Sequence, residues 1–410
     1  MNSPVRTVWR VSAAMALILA LGIGLTGNSE AKHRADWFSA WGTSQQGLAA
    51  ETVSDGTVRM IVRPTLSGTF VRVQLQNTFG TAPLTIGAAA IGARVNGAGL
   101  APGSNRPLTF NGSPSVTIPA GGVVSNDPLA FAVHAWQDLA VSLYIPGTAA
   151  PISRHTNARK TSFWTLAGAG NHAADEAATA FAQTTTSMWW VAALDVFSST
   201  ADGTIVFFGD SITDGTATTT DGHDRWHDIV ALRLMLDSKA KVELGTVNEG
   251  IGGNRVTVTA TQGSPAAVER LDRDVLARAG VSHVVFFEGT NDLASGLVNA
   301  EQLIAGMQNI IGRVHARGLP IIAVTIIPRH NATWTPQMTE YRHVVNDWIR
   351  HRANFEAVID FDVVMRDPAN PDLMNPLLDF ADHVHPNPFG YFTMGRAVDL
   401  SLFERPLHRR

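Results

Sequence analysis

The hydrophobic pattern of the chain changes abruptly near residue 200, and this change constrains the fold more than any other feature. Before it, apolar and polar residues alternate with a period of two in short runs such as "FVRVQLQN", "LAVSLYIP" and "GTVRMIVRP". Such alternation is typical of half-buried strands. Clusters of Gly, Pro and Asn separate the runs, and no long amphipathic helical pattern occurs. Residues 36–200 are therefore predicted to form an accessory β-sandwich domain of jelly-roll type.

From residue 203 onward, continuous apolar runs alternate with helical patterns. The predicted strands are "TIVFFG", "KVELGTVN", "SHVVFFEG", "PIIAVTIIP" and "AVIDFDVV", and the predicted helices cover residues 226–236, 265–279, 300–317 and 335–352. In the third helix, apolar residues recur at helical spacing until Gly318 and Pro320 end the pattern. This alternation predicts an α/β domain over residues 203–410, with a mainly parallel sheet and helices on both faces.

Composition excludes several classes of protein. The chain has 410 residues, enough for two domains, and a net charge of −4 without a basic block or stripe. Nucleic acid is therefore not expected as a partner. There is no cysteine, so neither a disulfide framework nor thiolate metal ligation is available.

The N-terminus resembles an export signal. Arg6 and Arg10 precede an apolar run over residues 11–25, and Ser29-Glu30-Ala31 provides a small-x-small cleavage site. Residues 1–31 are predicted to be a signal peptide, and the mature protein is expected to be secreted or periplasmic. A membrane anchor is the alternative, but the run is shorter than the roughly 20 apolar residues of a spanning helix. No later segment is apolar and long enough to insert after cleavage.

Polar and small residues follow the predicted strands. The first strand ends at Gly209-Asp210-Ser211, the second runs into "NEGIGGNR", the third ends in "EGTND", and "DHVHPN" lies near the C-terminus. Sites in parallel sheets collect at the carboxyl ends of the strands. The sequence thus predicts that a serine, a glycine-rich turn, an asparagine and an Asp-x-x-His pair meet at one edge of the sheet.

These residue types match the needs of acyl transfer. A serine hydroxyl such as that of Ser211 is a weak nucleophile and needs a base, for which His385 is the candidate. Asp382 is the candidate group that orients the imidazole and stabilises its positive charge. The backbone N–H of Ser211, the Asn291 amide and the backbone N–H of a glycine in the second loop are candidate oxyanion donors. Gly250, Gly252 and Gly253 are the possible glycines of this loop.

Together the blocks "GDS", "GIGGN", "GTND" and "DHVHPN" resemble, in order and spacing, the four sequence blocks of the SGNH (GDSL) hydrolase superfamily. The resemblance covers residues 204–402 and implies a flavodoxin-like hydrolase domain. Matched block by block, it implies Ser211 as nucleophile, Gly253 and Asn291 as oxyanion residues, and Asp382 and His385 as acid and base. The chain also resembles a bacterial branch of secreted acylhydrolases and arylesterases, some encoded near xylan-degrading enzymes, in which a β-rich domain precedes the hydrolase domain.

Several other polar and aromatic residues have a structural role as one interpretation and a functional role as another. Arg225 and Trp226 follow the candidate nucleophile and are candidate residues of the substrate pocket. His223 and His227 have the spacing of metal ligands but lack the glutamate of an H-E-x-x-H motif, so no metal is assigned to them. Asp210, Asp292 and His383 are interpreted as structural neighbours of the site. Tryptophans before residue 200 are predicted to be core residues, with a sugar-binding platform as the alternative.

The sequence thus predicts a serine esterase that needs no metal or organic cofactor. The first interpretation of its substrate is a short-chain carboxylic ester. The alternative is an acetylated glycan, which would make the protein a carbohydrate acetylesterase. A non-catalytic carbohydrate-binding protein is a third interpretation, which the complete set of candidate residues disfavours. The oligomeric state is not predicted.

Overall fold

The computed structural model describes residues 35–237, 242–260 and 264–404. The predicted signal peptide, residues 1–31, lies outside these ranges. Among the helices that the structure describes, none combines the length and apolar character needed to cross a membrane.

The chain between residues 36 and 198 consists of strands joined by turns, and we call it the β-rich region. Its strands are β1 Asp36–Gly42, β2 Gly47–Val53, β3 Gly56–Val62, β4 Gly68–Gln76, β5 Leu84–Ile86, β6 Ala88–Asn96, β7 Gly99–Leu100, β8 Arg106–Pro107, β9 Val116–Ile118, β10 Val123–Ser125, β11 Leu129–Val133, β12 Leu139–Ile145, β13 Ala150–His155, β14 Ser162–Trp164, β15 Gln183–Thr185, β16 Met188–Trp189 and β17 Val191–Ser198.

The chain from residue 203 to residue 403 alternates strands and helices, and we call it the α/β region. Its elements are β18 Gly203–Gly209, α1 Ser211–Asp214, α2 Trp226–Leu236, β19 Leu244–Gly250, α3 Ala267–Leu271, β20 Val281–Phe287, α4 Thr290–Ala294, α5 Ala300–Ala316, β21 Ile321–Val324, α6 Pro336–His351, β22 Ala357–Ile359, α7 Phe361–Met365 and α8 Pro388–Ala397. A π-helical turn spans Asp272–Leu276, and a 3₁₀ turn spans Leu400–Phe403.

Antiparallel sheets build the β-rich region. One has the order β1-β17-β4-β10 with β11 beside β4, and another has the order β15-β14-β3-β12-β6-β7 with β8 beside β6. In β4 the predicted alternation is confirmed, because Val71, Val73 and Leu75 are fully buried while Arg72 is partly exposed. The paired Trp189 and Trp190 are also buried in this core.

For β3 and β12 the prediction of half-buried strands is wrong, because both faces of these strands are covered. Arg59 on the second face of β3 is buried and donates to the carbonyl of Ala98, to that of Asp175 and to the Ser142 hydroxyl. A small apolar cluster that includes Phe163 and Phe181 lies on the same face. The alternation in sequence therefore reflects a polar second face that is satisfied by protein groups instead of water.

The α/β region contains a parallel sheet with the order β19-β18-β20-β21-β22. Alternate residues of β18 contribute to two separate cores. Val206 and Phe208 join the core that α3, α5 and α6 cover, whereas Ile205 and Phe207 join the core that α2 and α8 cover. The predicted α/β fold with helices on both faces and an N-terminal β-rich part is thus confirmed.

Three predicted elements of the α/β region differ from the structure. The predicted run 320–328 is a strand only over Ile321–Val324. The run 357–364 is a strand only as far as Ile359, because the Asp360 side chain accepts from the Val363 N–H and begins α7. The predicted helix 265–279 is a short α-helix that continues into the π-helical turn. The other helix predictions agree with the structure to within one residue at each end.

The β-rich and α/β regions pack into one compact unit. Strand β1 lies against β19, where a Cβ on Gly245 would be 2.5 Å from the carbonyl oxygen of Ser39. The Ser39 N–H donates to the carbonyl of Ala279 at 2.9 Å, and the Thr246 N–H donates to the hydroxyl of Thr65 at 2.8 Å. Because the backbones of β1 and β19 approach this closely, the β-rich region packs directly against the parallel sheet and helps to stabilise it.

Candidate active site

The candidate nucleophile begins a short helix at the carboxyl end of the central part of the sheet. Strand β18 ends at Gly209, where a Cβ would be 2.2 Å from the Thr213 hydroxyl, so only glycine fits. Asp210 caps α1, because its side chain accepts from the Ile212 N–H at 2.9 Å. Ser211 is the first residue of this helix, which fixes the direction of its side chain.

The structure brings Ser211, His385 and Asp382 into one hydrogen-bonded line. The distance from His385 Nε2 to Ser211 Oγ is 2.8 Å, and the distance from His385 Nδ1 to Asp382 Oδ2 is 2.6 Å. The other carboxylate oxygen of Asp382 accepts from the backbone N–H groups of Val384 and His385, at 3.0 and 2.8 Å. This is the relative arrangement of nucleophile, base and orienting acid that acyl transfer requires.

The charge state of Asp382 suits an orienting role. Its partial burial would by itself raise the pKa, but the hydrogen bonds from the His385 ring and from two backbone N–H groups hold the pKa below its ordinary value. The carboxylate is therefore ionised at neutral pH and accepts the His385 Nδ1 proton. This leaves Nε2 free to accept the hydroxyl proton of Ser211.

Carboxyl groups beneath the nucleophile have the opposite tendency. Burial raises the pKa of Asp210 to about 7 and that of Asp292 to about 6, and it raises the pKa of Glu288 well above its ordinary value. Among these carboxyls, any that is protonated repels a negative transition state less than an ionised one would. Asp292 also accepts from the backbone N–H groups of Val256 and Thr257, so it ties the second loop to α4.

The glycine and asparagine candidates for the oxyanion site line the same groove, which has a volume of about 230 Å³. Gly253 has a φ of +73°, a conformation that favours glycine. The backbone N–H groups of Ser211 and Gly253 have no acceptor among the described residues. The Asn291 side-chain amide donates to the carbonyl of Asn254 at 3.0 Å, which orients it and leaves its second N–H available.

Gly250 has a different task from Gly253. Its N–H donates to the side-chain oxygen of Asn248 at 2.8 Å, so it is already engaged. A Cβ on Gly250 would be 2.3 Å from the backbone nitrogen of Asp214, so this glycine lets β19 approach α1, which we call the nucleophile helix. Of the three glycines considered from the sequence, Gly252 and Gly253 therefore keep an N–H that could serve a substrate.

Two arginines of the site escaped the sequence interpretation. Arg270 is fully buried and donates to the carbonyl of Gly209 at 2.9 Å and to that of Glu249 at 2.7 Å, so it joins the ends of β18 and β19. Arg329 follows β21 and lies 3.4 Å from the Asn291 side-chain oxygen. A lone arginine within a helix or loop carries no spacing signal, which is why neither residue stood out.

Among the described residues, neither Arg225 nor Trp226 hydrogen-bonds to Ser211, His385 or Asp382. Trp226 is fully buried and packs edge-on against Phe207 and Phe361, so the structure places it in the hydrophobic core instead of a substrate pocket. Arg225 donates to the carbonyl of Asp214 at 2.6 Å and to that of Ala158 at 2.7 Å. It therefore joins the nucleophile helix to the β-rich region.

A second His–Asp pair lies behind the nucleophile helix. His155 of the β-rich region contacts Asp214 at a distance of 3.0 Å between Nε2 and Oδ1, and both side chains are buried. They line a polar cavity of about 60 Å³ that also includes His223 and His227. Burial lowers the pKa of each of these two histidines to about 4, so both are neutral at physiological pH.

Comparison with known proteins identifies the α/β region. The sequence model described as "GDSL-like Lipase/Acylhydrolase family" matches residues 207–391. Residues 207–391 form a GDSL-like lipase/acylhydrolase domain. The resemblance noted in the sequence is thereby confirmed, and the protein is an ester-hydrolysing enzyme. No curated protein matches the chain.

Solved structures of GDSL hydrolases resemble about half of the chain. They include a member of the lipolytic protein G-D-S-L family from Veillonella parvula (22% identity, 50% of this chain and 99% of that chain, TM-score 0.37). A carbohydrate acetylesterase, Est24, from Sinorhizobium meliloti and the aryl esterase of M. smegmatis each have 16% identity and cover 48% of this chain and 95% of their own, with TM-scores of 0.39 and 0.38. Likenesses this distant support no conclusion about substrate.

Proposed function

We propose that the GDSL-like domain hydrolyses carboxylic esters through a Ser211–His385–Asp382 triad and a covalent acyl-enzyme. The observation that carries this proposal is the position of the His385 ring, 2.8 Å from the Ser211 hydroxyl on one side and 2.6 Å from the Asp382 carboxylate on the other. A non-catalytic carbohydrate-binding protein would have no need of this alignment.

In the acylation step, Ser211 Oγ attacks the ester carbonyl carbon while His385 Nε2 takes the hydroxyl proton. The carbonyl oxygen becomes an oxyanion, which the N–H groups of Ser211 and Gly253 and the Asn291 amide stabilise. When the tetrahedral intermediate collapses, the bond to the alcohol oxygen breaks, and His385 protonates that oxygen. The alcohol leaves, and the acyl group remains as an ester on Ser211.

In the deacylation step, His385 Nε2 takes a proton from a water molecule, which attacks the acyl carbon. The same donors stabilise the second oxyanion. When this intermediate collapses, the bond to Ser211 Oγ breaks, and His385 returns its proton to that oxygen. The carboxylic acid leaves and the triad is restored, so no metal or cofactor takes part in any step.

The direct test of the triad is Ser211→Ala, with Ser401→Ala as a control at an exposed serine of the C-terminal turn. The Ser211 variant should lose at least about 10³-fold in kcat on a p-nitrophenyl acetate substrate. It should also form no acyl-enzyme visible by mass spectrometry, whereas the control keeps wild-type activity. Wild-type turnover in Ser211→Ala would refute the proposal.

For the substrate, we propose a short acyl group, because the groove beside the oxyanion donors is small, open and polar. Besides Gly253 and Asn291, it is lined by Ala260, Ala294 and Ser295 and by the two arginines Arg255 and Arg329. Two arginines disfavour a long apolar chain, since their desolvation would be costly. Kinetics with p-nitrophenyl esters from acetate to octanoate should show kcat/KM falling as the acyl chain lengthens, and a rise would contradict this assignment.

The same polarity supports a second candidate, a carbohydrate acetylesterase acting on an acetylated glycan. Charged and hydroxyl side chains beside the site suit a sugar alcohol better than an apolar one. Acetate release from acetylated xylan, measured against p-nitrophenyl acetate turnover by the same preparation, separates the candidates. Acetate release with kcat/KM well above that for the aryl ester favours the glycan, and the absence of release favours a simple short-chain ester.

We further propose export, with residues 1–31 as the signal peptide and the mature enzyme secreted or periplasmic. N-terminal sequencing of the enzyme from culture medium or periplasm should begin near residue 32.

We also propose that the sheet order β19-β18-β20-β21-β22, which is 2-1-3-4-5 along the chain, belongs to the flavodoxin-like class. The packed antiparallel sheets of the β-rich region support its assignment as an accessory sandwich of jelly-roll type.

A further inference from the structure

A cluster of potential metal ligands lies beside the triad but takes no part in it. His330, Asp379 and His383 offer ligand atoms that all lie within 4.8 Å of one another. The rings of His330 and His383 are stacked, with their centroids 4.2 Å apart. His330 belongs to the loop after β21, whereas Asp379 and His383 belong to the loop that carries Asp382 and His385.

We propose that His330, Asp379 and His383 form a binding site for a divalent transition-metal ion of the Zn²⁺ class. Two imidazoles and one carboxylate are ligands that Zn²⁺ accepts, and a water molecule would complete a tetrahedral set. The oxygen-rich sites that Ca²⁺ and Mg²⁺ prefer differ from this donor set. This site is distinct from the H-x-x-x-H pair of His223 and His227, for which the sequence predicts no metal.

The cluster is organised for binding before any ion arrives. Asp379 accepts from the N–H groups of Ala381 and His383, at 2.9 and 3.2 Å, so its carboxylate is fixed. Its second oxygen lies 2.6 Å from His383 Nδ1. The His330 N–H donates to the carbonyl of His383 at 3.1 Å, which joins the two loops next to the ligands.

A bound ion would change the hydrogen bond that now joins His383 and Asp379. Neutral imidazole is the form that binds a metal. An ion that binds both His383 Nδ1 and Asp379 would displace the proton between them. An ion that binds His383 Nε2 instead would leave Asp379 hydrogen-bonded to Nδ1, where it orients the ring.

Binding requires only a small movement of the side chains. Zn²⁺ ligand bonds of about 2.0–2.2 Å place tetrahedral ligand atoms roughly 3.3–3.6 Å apart, whereas the present ligand atoms lie within 4.8 Å of one another and Asp379 Oδ2 is only 2.6 Å from His383 Nδ1. The side chain of His383 is 47% exposed, so it can rotate to adjust these distances without displacing core atoms. A bound ion would then connect the loop that carries Arg329 with the loop that carries the catalytic base.

The test is calorimetric titration of the full chain with Zn²⁺ after EDTA treatment and dialysis, on the wild type, His383→Ala and His330→Ala. His343→Ala is the matched control, because His343 also forms an exposed pair with a carboxylate, 2.6 Å from Asp372. We expect one ion per chain for the wild type and the control, and binding at least about tenfold weaker for the other two variants.

Thermal unfolding in EDTA checks that each variant is folded, and saturating Zn²⁺ should raise the Tm of the wild type and the control but not of His383→Ala. Unaltered Zn²⁺ binding in both cluster variants would refute the site, since the ion would then be held by other ligands such as His385. An absence of Zn²⁺ binding to the folded wild type would refute it as well. None of these readouts depends on esterase activity, so the outcome is independent of the proposed function.

Discussion

The nucleophile helix has a His–Asp pair on each of its two sides, and the two pairs differ in access and in partner. On one side, His385 and Asp382 are 2.6 Å apart, with side chains 16% and 41% exposed. On the other side, His155 and Asp214 are 3.0 Å apart, with side chains 2% and 1% exposed. One His–Asp pair thus lies at a partly exposed site against the Ser211 hydroxyl, and the other lies inside the protein.

The partner of the second ring nitrogen decides what each pair can do. His385 Nε2 faces the hydroxyl of Ser211, whereas the second nitrogen of His155, Nδ1, lies 2.9 Å from the backbone carbonyl of Ser44. A carbonyl can only accept, so His155 has no proton to take from it. The inner pair therefore holds the helix in place, and the outer pair can move a proton.

The largest effect that this comparison predicts is on catalysis by the outer pair. His385→Ala should lower kcat on p-nitrophenyl acetate by about 10³- to 10⁴-fold, because the proton of Ser211 then has no acceptor. Steady-state kinetics measure the loss, and thermal unfolding should show a stability close to that of the wild type. A variant that is inactive only because it is unfolded would not distinguish the two sides.

For the inner pair we expect the reverse, a loss of stability with catalysis largely kept. His155→Ala leaves the Asp214 carboxylate buried without its partner, which should cost about 3–5 kcal/mol in the free energy of unfolding. Urea unfolding measures this loss. His172→Ala removes an exposed His–Asp pair and should change the unfolding free energy by less than about 0.5 kcal/mol. If His155→Ala abolished turnover without destabilising the protein, the division of roles would be wrong.

The candidate oxyanion donors provide a more specific test of the site around Ser211 and His385. Asn291→Ala should lower kcat by about 10²- to 10³-fold with little change in KM, because its donor is needed mainly in the transition state. Asn291→Asp keeps the shape of the side chain but removes the N–H donor, so it should be impaired to at least the same degree. Full activity of Asn291→Asp would show that the amide is not an oxyanion donor.

Asp210, which caps the start of the nucleophile helix, should make the free energy of unfolding depend on pH. Because burial raises its pKa to about 7, the unfolded chain ionises first, and the stability due to the protonated group is lost as the pH rises toward 7. Asp210→Asn keeps a capping side chain and cannot ionise. Its unfolding free energy relative to the wild type should therefore rise between pH 5 and pH 8 by up to about 3 kcal/mol. A pH-independent difference would contradict the raised pKa.

The sequence predicts the accessible side of the helix well because its signals are local. Gly209-Asp210-Ser211 marks the end of a buried strand, and Asp382-x-x-His385 has a spacing that lets one loop hold both groups. The parallel sheet then brings these loops together. The rule that sites collect at the carboxyl ends of parallel strands therefore predicts that these residues, far apart in the chain, lie close together.

The inner side could not be predicted because its contacts join residues with no common spacing. His155 and Asp214 lie in different regions, and Arg270 contacts Ser44 as well as the end of β18. The burial of both faces of β3 has the same origin, since the covering residues come from distant loops. Such pairs are visible only after the chain is folded.

The position of β1 between β17 and β19 has a consequence for the order of events during synthesis. Strand β1 is the first described strand to leave the ribosome, but its antiparallel partner β17 ends at Ser198. Its other contact, with β19, needs a further part of the chain. The first strand must therefore wait unpaired while most of the β-rich region is made, which predicts slow formation of its sheet and a period in which a chaperone can hold the nascent chain.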